Sequence, residues 1–282
     1  MNNMNPKKKF PIEVIAFTPR EDLTKGEVFQ AIRQEIKKYI GRPIAFVFPE
    51  AVLGEKAIPR TEGKMFVSRI NKLLAQHGNA FAFFSVIEKI GKPTNARSIS
   101  NTGYIVTPSR KKPWFVYPKL YRIPEGKGHS LQVYDSLILG HNAPKKSSEV
   151  HKLLTRWVAR AEKIKGFPQV RINGKDIQLR ICSDIHHNYL FDLPVGKSKR
   201  KADLVLVPAR GLHFEQQHMN YVAPILKKRG VVAIVDGDKA RVNYFAKRKI
   251  QNNIIHQAPL GKRMNLTWST YKFPKRNLRK TR

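Results

Sequence analysis

Residues 25–50 read KGEVFQAIRQEIKKYIGRPIAFVFPE. Val28, Ile32, Ile36 and Ile40 recur at the spacing of one helix face, Gly41 and Pro43 stop that helix, and Ile44 to Phe48 is a short unbroken apolar run of the kind that forms a buried strand. Phe10 to Thr18 in front is rich in β-formers, so the order is strand, helix, strand. Behind it, Phe66 to His77 has helical spacing up to Gly78, and Ala80 to Ile87 returns to a buried strand. This alternation predicts a layered α/β domain.

Further along, Thr102 to Thr107 and Trp114 to Tyr117 flank a loop with the composition of a hairpin turn. Ser147 to Ala161 is a candidate short helix. Asn173-Gly174 separates Val170–Ile172 from Ile177–Ile181, and Asn-Gly supplies the positive φ values of a two-residue type I′ turn. Ala202 to Pro208 reads as a buried strand, Phe214 to Arg229 as a helix in spite of Pro224, and Gly230 to Val235 as another buried strand. Beyond Asp238 there is no acidic residue but there are 13 Lys or Arg, and no element is assigned to this part. We expect residues 1–282 to form a single domain, with 239–282 as its basic C-terminal tail.

The chain has 282 residues and a formal charge of +34, yet its 41% hydrophobic content, with 15 Phe, 9 Tyr and 3 Trp, is enough for a sizeable core. No run approaches the ~20 apolar residues of a membrane span, and Met1 to Phe10 lacks the apolar stretch of a secretory signal, so a cytoplasmic location is expected. The only cysteine, Cys182, excludes an intramolecular disulfide and a zinc site built on several thiolates. No metal or other cofactor is expected. His186 and His187 lie close to Cys182 but read as pocket or surface histidines, and there is no phosphate-binding glycine motif.

Three polar residues each follow an apolar strand: Glu50, Lys119 and Cys182. Side chains at strand ends in layered α/β folds converge on a common crevice. A cation beside a thiol stabilises its thiolate, and a nearby carboxylate can accept the proton and return it to a leaving group.

The motifs around these residues, Phe48-Pro49-Glu50, Tyr117-Pro118-Lys119-Leu120, Arg180-Ile181-Cys182-Ser183-Asp184 and Ala202-Asp203-Leu204-Val205-Leu206-Val207-Pro208, resemble in order and interval those of the nitrilase, or carbon–nitrogen hydrolase, superfamily. The resemblance covers roughly residues 10–238. It implies a four-layer α-β-β-α sandwich, commonly paired as a homodimer, and attack on a small amide through a cysteine acyl-enzyme. By the same resemblance Glu50 would be the general base, Cys182 the nucleophile, and Lys119 the oxyanion stabiliser assisted by the Ser183 backbone N–H, while Glu125 would orient Lys119 or water. After Cys-Ser-Asp the chain departs from the family pattern with Ile185-His186-His187-Asn188.

Charge suggests an alternative: an inactive scaffold of this type holding nucleic acid or another polyanion. Lys197 to Lys201 is a compact basic run, and the last 21 residues carry eight basic side chains among Trp268, Tyr271 and Phe273. Weak, salt-sensitive polyanion binding is expected from the charge alone.

Overall fold

The computed structural model describes residues 13–39, 41, 43–89, 99–109, 111, 114–119, 167–186, 201–212, 222–237, 241–246, 249–252, 256–258 and 261–267. The first strand, β1 (Glu13–Pro19), leads into α1 (Lys25–Lys37). Thr24 starts that helix through a capping box: its hydroxyl accepts from the Glu27 N–H at 3.4 Å, and the Glu27 carboxylate accepts from the Thr24 N–H at 2.8 Å. Val28, Ile32 and Ile36 are buried along one face, as their spacing requires. β2 (Ile44–Val47) follows and is buried throughout. After the short β3 (Ile58–Pro59) comes α2 (Arg60–His77), which begins six residues earlier than its apolar spacing suggests and ends at Gly78 with φ 73°.

The chain continues through β4 (Ala80–Lys89), β5 (Ile99–Val106) and β6 (Trp114–Pro118), the last two an antiparallel pair as the sequence predicts. β7 (Gln169–Ile172) and β8 (Lys175–Leu179) form the expected hairpin, and its turn residues Asn173 and Gly174 have φ of 46° and 74°. β9 (Ala202–Ala209) and β10 (Leu226–Asp236) are parallel neighbours.

The structure corrects one element where it describes it. The helix expected over 214–229 does not reach Arg229: residues Ala223–Ile225 make a 3-10 turn and β10 starts at Leu226. Pro224 has no N–H to continue a helix, and Lys227 is drawn to Asp176 and Asp203, both at 2.6 Å. Residues 213–221, like the candidate helix 147–161, lie outside the described residues.

Beyond Asp238, where the sequence carries no clear signal, the structure has β11 (Arg241–Ala246), β12 (Lys249–Asn252), β13 (His256–Ala258) and β14 (Gly261–Thr267). β11 and β12 extend the sheet of β10, whereas β14 pairs antiparallel with β1 over its whole length, Glu13 opposite Thr267 and Pro19 opposite Gly261.

Two sheets result. The first has the order β13-β14-β1-β2-β4-β5-β6 with β3 on β4, and the second the order β12-β11-β10-β9-β8-β7. Val14, Ala16, Val47, Phe83 and Ile105 of the first sheet belong to one apolar cluster with Ile177, Leu179, Val205, Val207 and Val232 of the second. The opposite face of the first sheet, with Phe46, Phe84 and Tyr104, packs beneath α1 and α2. The described layers are thus helix, sheet, sheet. Leu204, Val205, Leu206 and Val207 of β9 are all at most 1% exposed, so the second sheet is also covered on both faces. No helix among the described residues is long and apolar enough to cross a membrane.

Candidate active site

Each of the three residues singled out in the sequence lies just past a strand. Glu50 follows β2 after the Phe48 N–H has extended the pairing to Phe83 O at 2.9 Å. Its loop is fastened to β4 by one residue: the Ser85 hydroxyl accepts from the Ala51 N–H and the Ser85 carbonyl from the Val52 N–H, both at 3.1 Å. Ala51 has φ 55°, a left-handed conformation that turns the chain immediately behind the carboxylate.

Lys119 follows β6, and its N–H donates to Asn101 O on β5 at 2.7 Å. Cys182 lies three residues past the end of β8 and opens a 3-10 turn, Cys182–His186. Its own φ is 45°, unusual for a residue with a side chain and of the strained kind found where a reactive group must be presented. The turn is held by the Arg180 N–H on Leu206 O at 3.0 Å, the Asp184 N–H on Ile181 O at 2.9 Å and the buried Arg180 guanidinium on Asp184 O at 3.2 Å. That guanidinium also stacks on Phe167, 4.0 Å from the ring centroid.

These side chains meet. Lys119 Nζ donates to Glu50 Oε1 at 2.6 Å, with side chains only 12% and 8% exposed. Asn101 Nδ2 donates to the same carboxylate oxygen. A carboxylate only accepts, so the amide is oriented with nitrogen towards Glu50, and Asn101 Oδ1 is left buried without a partner among the described residues. Cys182 is 8% exposed, and its Sγ is 3.8 Å from Arg210 O, at the end of β9.

Burial pushes the thiol up to about 12, the charge of Glu50 and a hydrogen bond to its carboxylate push the same way, and Lys119 and the Arg210 carbonyl contact only partly oppose them. The resting thiol is therefore neutral. Burial works against the Lys119 ammonium, but Cys182, Glu50 and Asp184 and the hydrogen bond that Lys119 donates to Glu50 together outweigh it and raise its pKa. Lys119 stays charged.

Gly237 lets the two sheets close at this point. Its N–H donates to Ala209 O at 2.9 Å, and a Cβ there would come within 2.9 Å of Pro49 Cβ, next to Glu50. A cavity of about 390 Å³ reaches Glu50 past Leu53, Lys56 and Arg210; neither Lys119 nor Cys182 lines it. Arg210 spans its rim, 3.1 Å from Glu55 and 3.9 Å from Glu21.

The sequence pattern does not mark Asn101 or Asp184 as partners of the site: Asp184 belongs to the Cys-Ser-Asp run, whereas Asn101 sits inside a strand. Ser183 follows Cys182 in the 3-10 turn, and Glu125 and His187 lie outside the described residues. Among the described residues no three His, Cys, Asp or Glu side chains are grouped as for a metal ion.

No protein-family model and no curated protein sequence matches this chain. Solved structures do. An amidase from Nesterenkonia sp. aligns at TM-score 0.56 and 11% identity over 92% of this chain and 91% of that one. A mutant of an amidase from Nesterenkonia sp. AN1, described as a member of the nitrilase superfamily, aligns at TM-score 0.54 and 10% identity over 90% of each chain. Another mutant of the AN1 enzyme, with the acetamide moiety of fluoroacetamide covalently on its active-site cysteine, aligns at 0.56 and 11% over 92% and 91%. The chain has the nitrilase fold. Within that fold, strand ends of both sheets deliver a thiol, a carboxylate and an ammonium group to one buried place.

Proposed function

We propose that the chain is a thiol-dependent carbon–nitrogen hydrolase of the amidase type. The observation that carries this reading is the Glu50 carboxylate, which accepts from the Lys119 ammonium at 2.6 Å and whose charge acts on the buried Cys182 thiol. Fold alone would not suffice, because one fold hosts many activities.

Since the thiol is neutral at rest, the proton leaves as the sulfur attacks. Glu50 accepts it while Cys182 Sγ bonds to the carbonyl carbon of the amide. The electron pair of the C=O bond moves to oxygen, and that oxyanion is held by Lys119 and the Ser183 backbone N–H. Glu50 then gives its proton to the departing nitrogen, the C–N bond breaks, and an acyl-thioester remains. Water, deprotonated by Glu50, adds to the thioester; collapse expels the sulfur, which regains its proton, and releases the acid. General-base assistance of this kind contributes about 10²–10⁴-fold in rate, and one oxyanion donor about 10²–10³-fold. Glu125 belongs to the proposal as the residue that orients Lys119 or the water.

Nesterenkonia amidase mutants have been solved with butyramide and with acrylamide. We assign short aliphatic amides of that kind as substrates here, with a cytoplasmic homodimer as the working assembly. Ammonia release from a panel of such amides, and a mass increase on Cys182 equal to the acyl group, test the reading. Turnover undiminished in Cys182→Ala would overturn it.

A further inference from the structure

On the outer face of the helical layer, α1 and α2 enclose a groove of about 290 Å³ lined by Phe29, Arg33, Lys37, Arg69, Lys72 and Leu73, with Gln76 at one end. Phe29 is half-buried and Leu73 buried, giving an apolar floor, while all four cations are exposed. Arg33 and Lys37 stand one turn apart on α1, Arg69 and Lys72 one turn apart on α2, and the Arg69 guanidinium lies over the Phe29 ring at 5.5 Å.

All three carboxylates of these helices are committed elsewhere. Glu27 caps α1 through Thr24, Glu62 pairs with Lys25 at 2.9 Å, and Glu35 is shared between Lys38 at 2.8 Å and Arg263 at 3.4 Å. None of the four groove cations has an ion pair among the described residues. The groove thus concentrates four positive charges with no acidic residue in its walls.

We propose that this groove seats the phosphodiester backbone of single-stranded nucleic acid. It runs for about 12 Å along α1 at 1.5 Å per residue, room for a few successive phosphates. The cations neutralise the phosphates, and Phe29, covered by Arg69, and buried Leu73 form the floor that holds them in place. A membrane surface fits less well: it requires a broad apolar face beside the charge, and on these helices Met65, 57% exposed, is the one large apolar side chain found exposed among the described residues. The inference is independent of the amidase reading.

The test uses the full-length protein and fluorescence anisotropy with a labelled oligothymidylate. Arg33→Glu, Lys37→Glu, Arg69→Glu and Lys72→Glu are combined in one variant. A control of equal charge change combines Lys89→Glu, Lys111→Glu, Lys201→Glu and Lys262→Glu, all at exposed positions. Four phosphate contacts give a slope of log affinity against log salt of about −2.8, or roughly a 50-fold loss between 50 and 200 mM salt. The groove variant is expected to lose that component of the slope and to bind at least about 10-fold more weakly than the control. Should the groove variant not fold by circular dichroism, the neutral pair Arg33→Gln and Lys37→Gln is read instead, with about half the slope change expected. Equal losses in groove variant and control would overturn the proposal. So would groove-dependent binding of phosphatidylserine vesicles, or of polyglutamate, in place of the oligonucleotide.

Discussion

Replacing Glu50 by Gln should make the Cys182 thiol more acidic while removing turnover. The carboxylate contributes to the high thiol pKa twice, as a negative charge and as a hydrogen-bond partner, whereas Lys119 acts in the opposite direction. In the variant, Lys119 loses the carboxylate it touches at 2.6 Å, and its charge is left to stabilise a thiolate. From a starting value of about 12, thiolate is a few parts in 10⁵ at pH 7.5, and loss of a like charge at this range lowers a pKa by about one to three units. The resting thiolate fraction should therefore rise about 10- to 1,000-fold. Turnover should nevertheless fall by at least about 10²-fold, because no group remains to return a proton to the leaving nitrogen. With one cysteine in the chain, the pH dependence of its alkylation rate by iodoacetamide, read by mass spectrometry, reports this residue alone. An unchanged or higher thiol pKa in Glu50→Gln, or turnover near that of the native chain, would refute the coupling on which the proposed mechanism rests.

Lys119→Met should leave the Glu50 carboxylate buried without its cation, costing about 3–5 kcal/mol in denaturant unfolding and raising the Cys182 pKa further. Asn101→Ala removes a hydrogen bond to a charged acceptor, worth about 1.5–3 kcal/mol, and kcat should fall with it; Asn101→Asp should be worse, since it sets a second carboxylate against Glu50. Gly237→Ala drives a methyl group to 2.9 Å from Pro49 Cβ and should lower both Tm and kcat, whereas Gly26→Ala on α1, with nothing within 4 Å, should stabilise by about 0.5–1 kcal/mol without touching kcat. His77 is buried with both ring nitrogens lacking partners among the described residues, and burial, then the Lys37 charge, hold its pKa below 6.5 in the folded state. The unfolded chain then binds the proton more tightly, so the stability His77 confers is complete above pH 6.5 and is lost as pH falls through the folded pKa; urea unfolding of native and His77→Gln chains across that window should show the difference.

What the sequence makes legible follows from which interactions are local. Val28, Ile32 and Ile36 betray α1 because a helix buries residues of its own period, and β2 and β9 are visible because both of their faces are buried. The first turns of α2 escape notice because Arg60 to Lys64 carries no apolar stripe. β14 escapes because its partner over its whole length is β1, which lies more than two hundred residues earlier in the chain, and β13 pairs with only its first three residues. The site divides the same way. Glu50, Lys119 and Cys182 announce themselves because each stands where an apolar strand stops, and there the backbone turns a side chain towards the crevice between sheets. Asn101 acts from inside a strand: its carbonyl fixes the Lys119 backbone, and its amide holds the Glu50 carboxylate. Nothing in Ile99-Ser-Asn-Thr-Gly-Tyr104 distinguishes that asparagine from its polar neighbours. Its role arises from the register of β5 against β6, and register is a property of pairing, so the residue joining two of the three proposed catalytic groups is the one that sequence pattern hides.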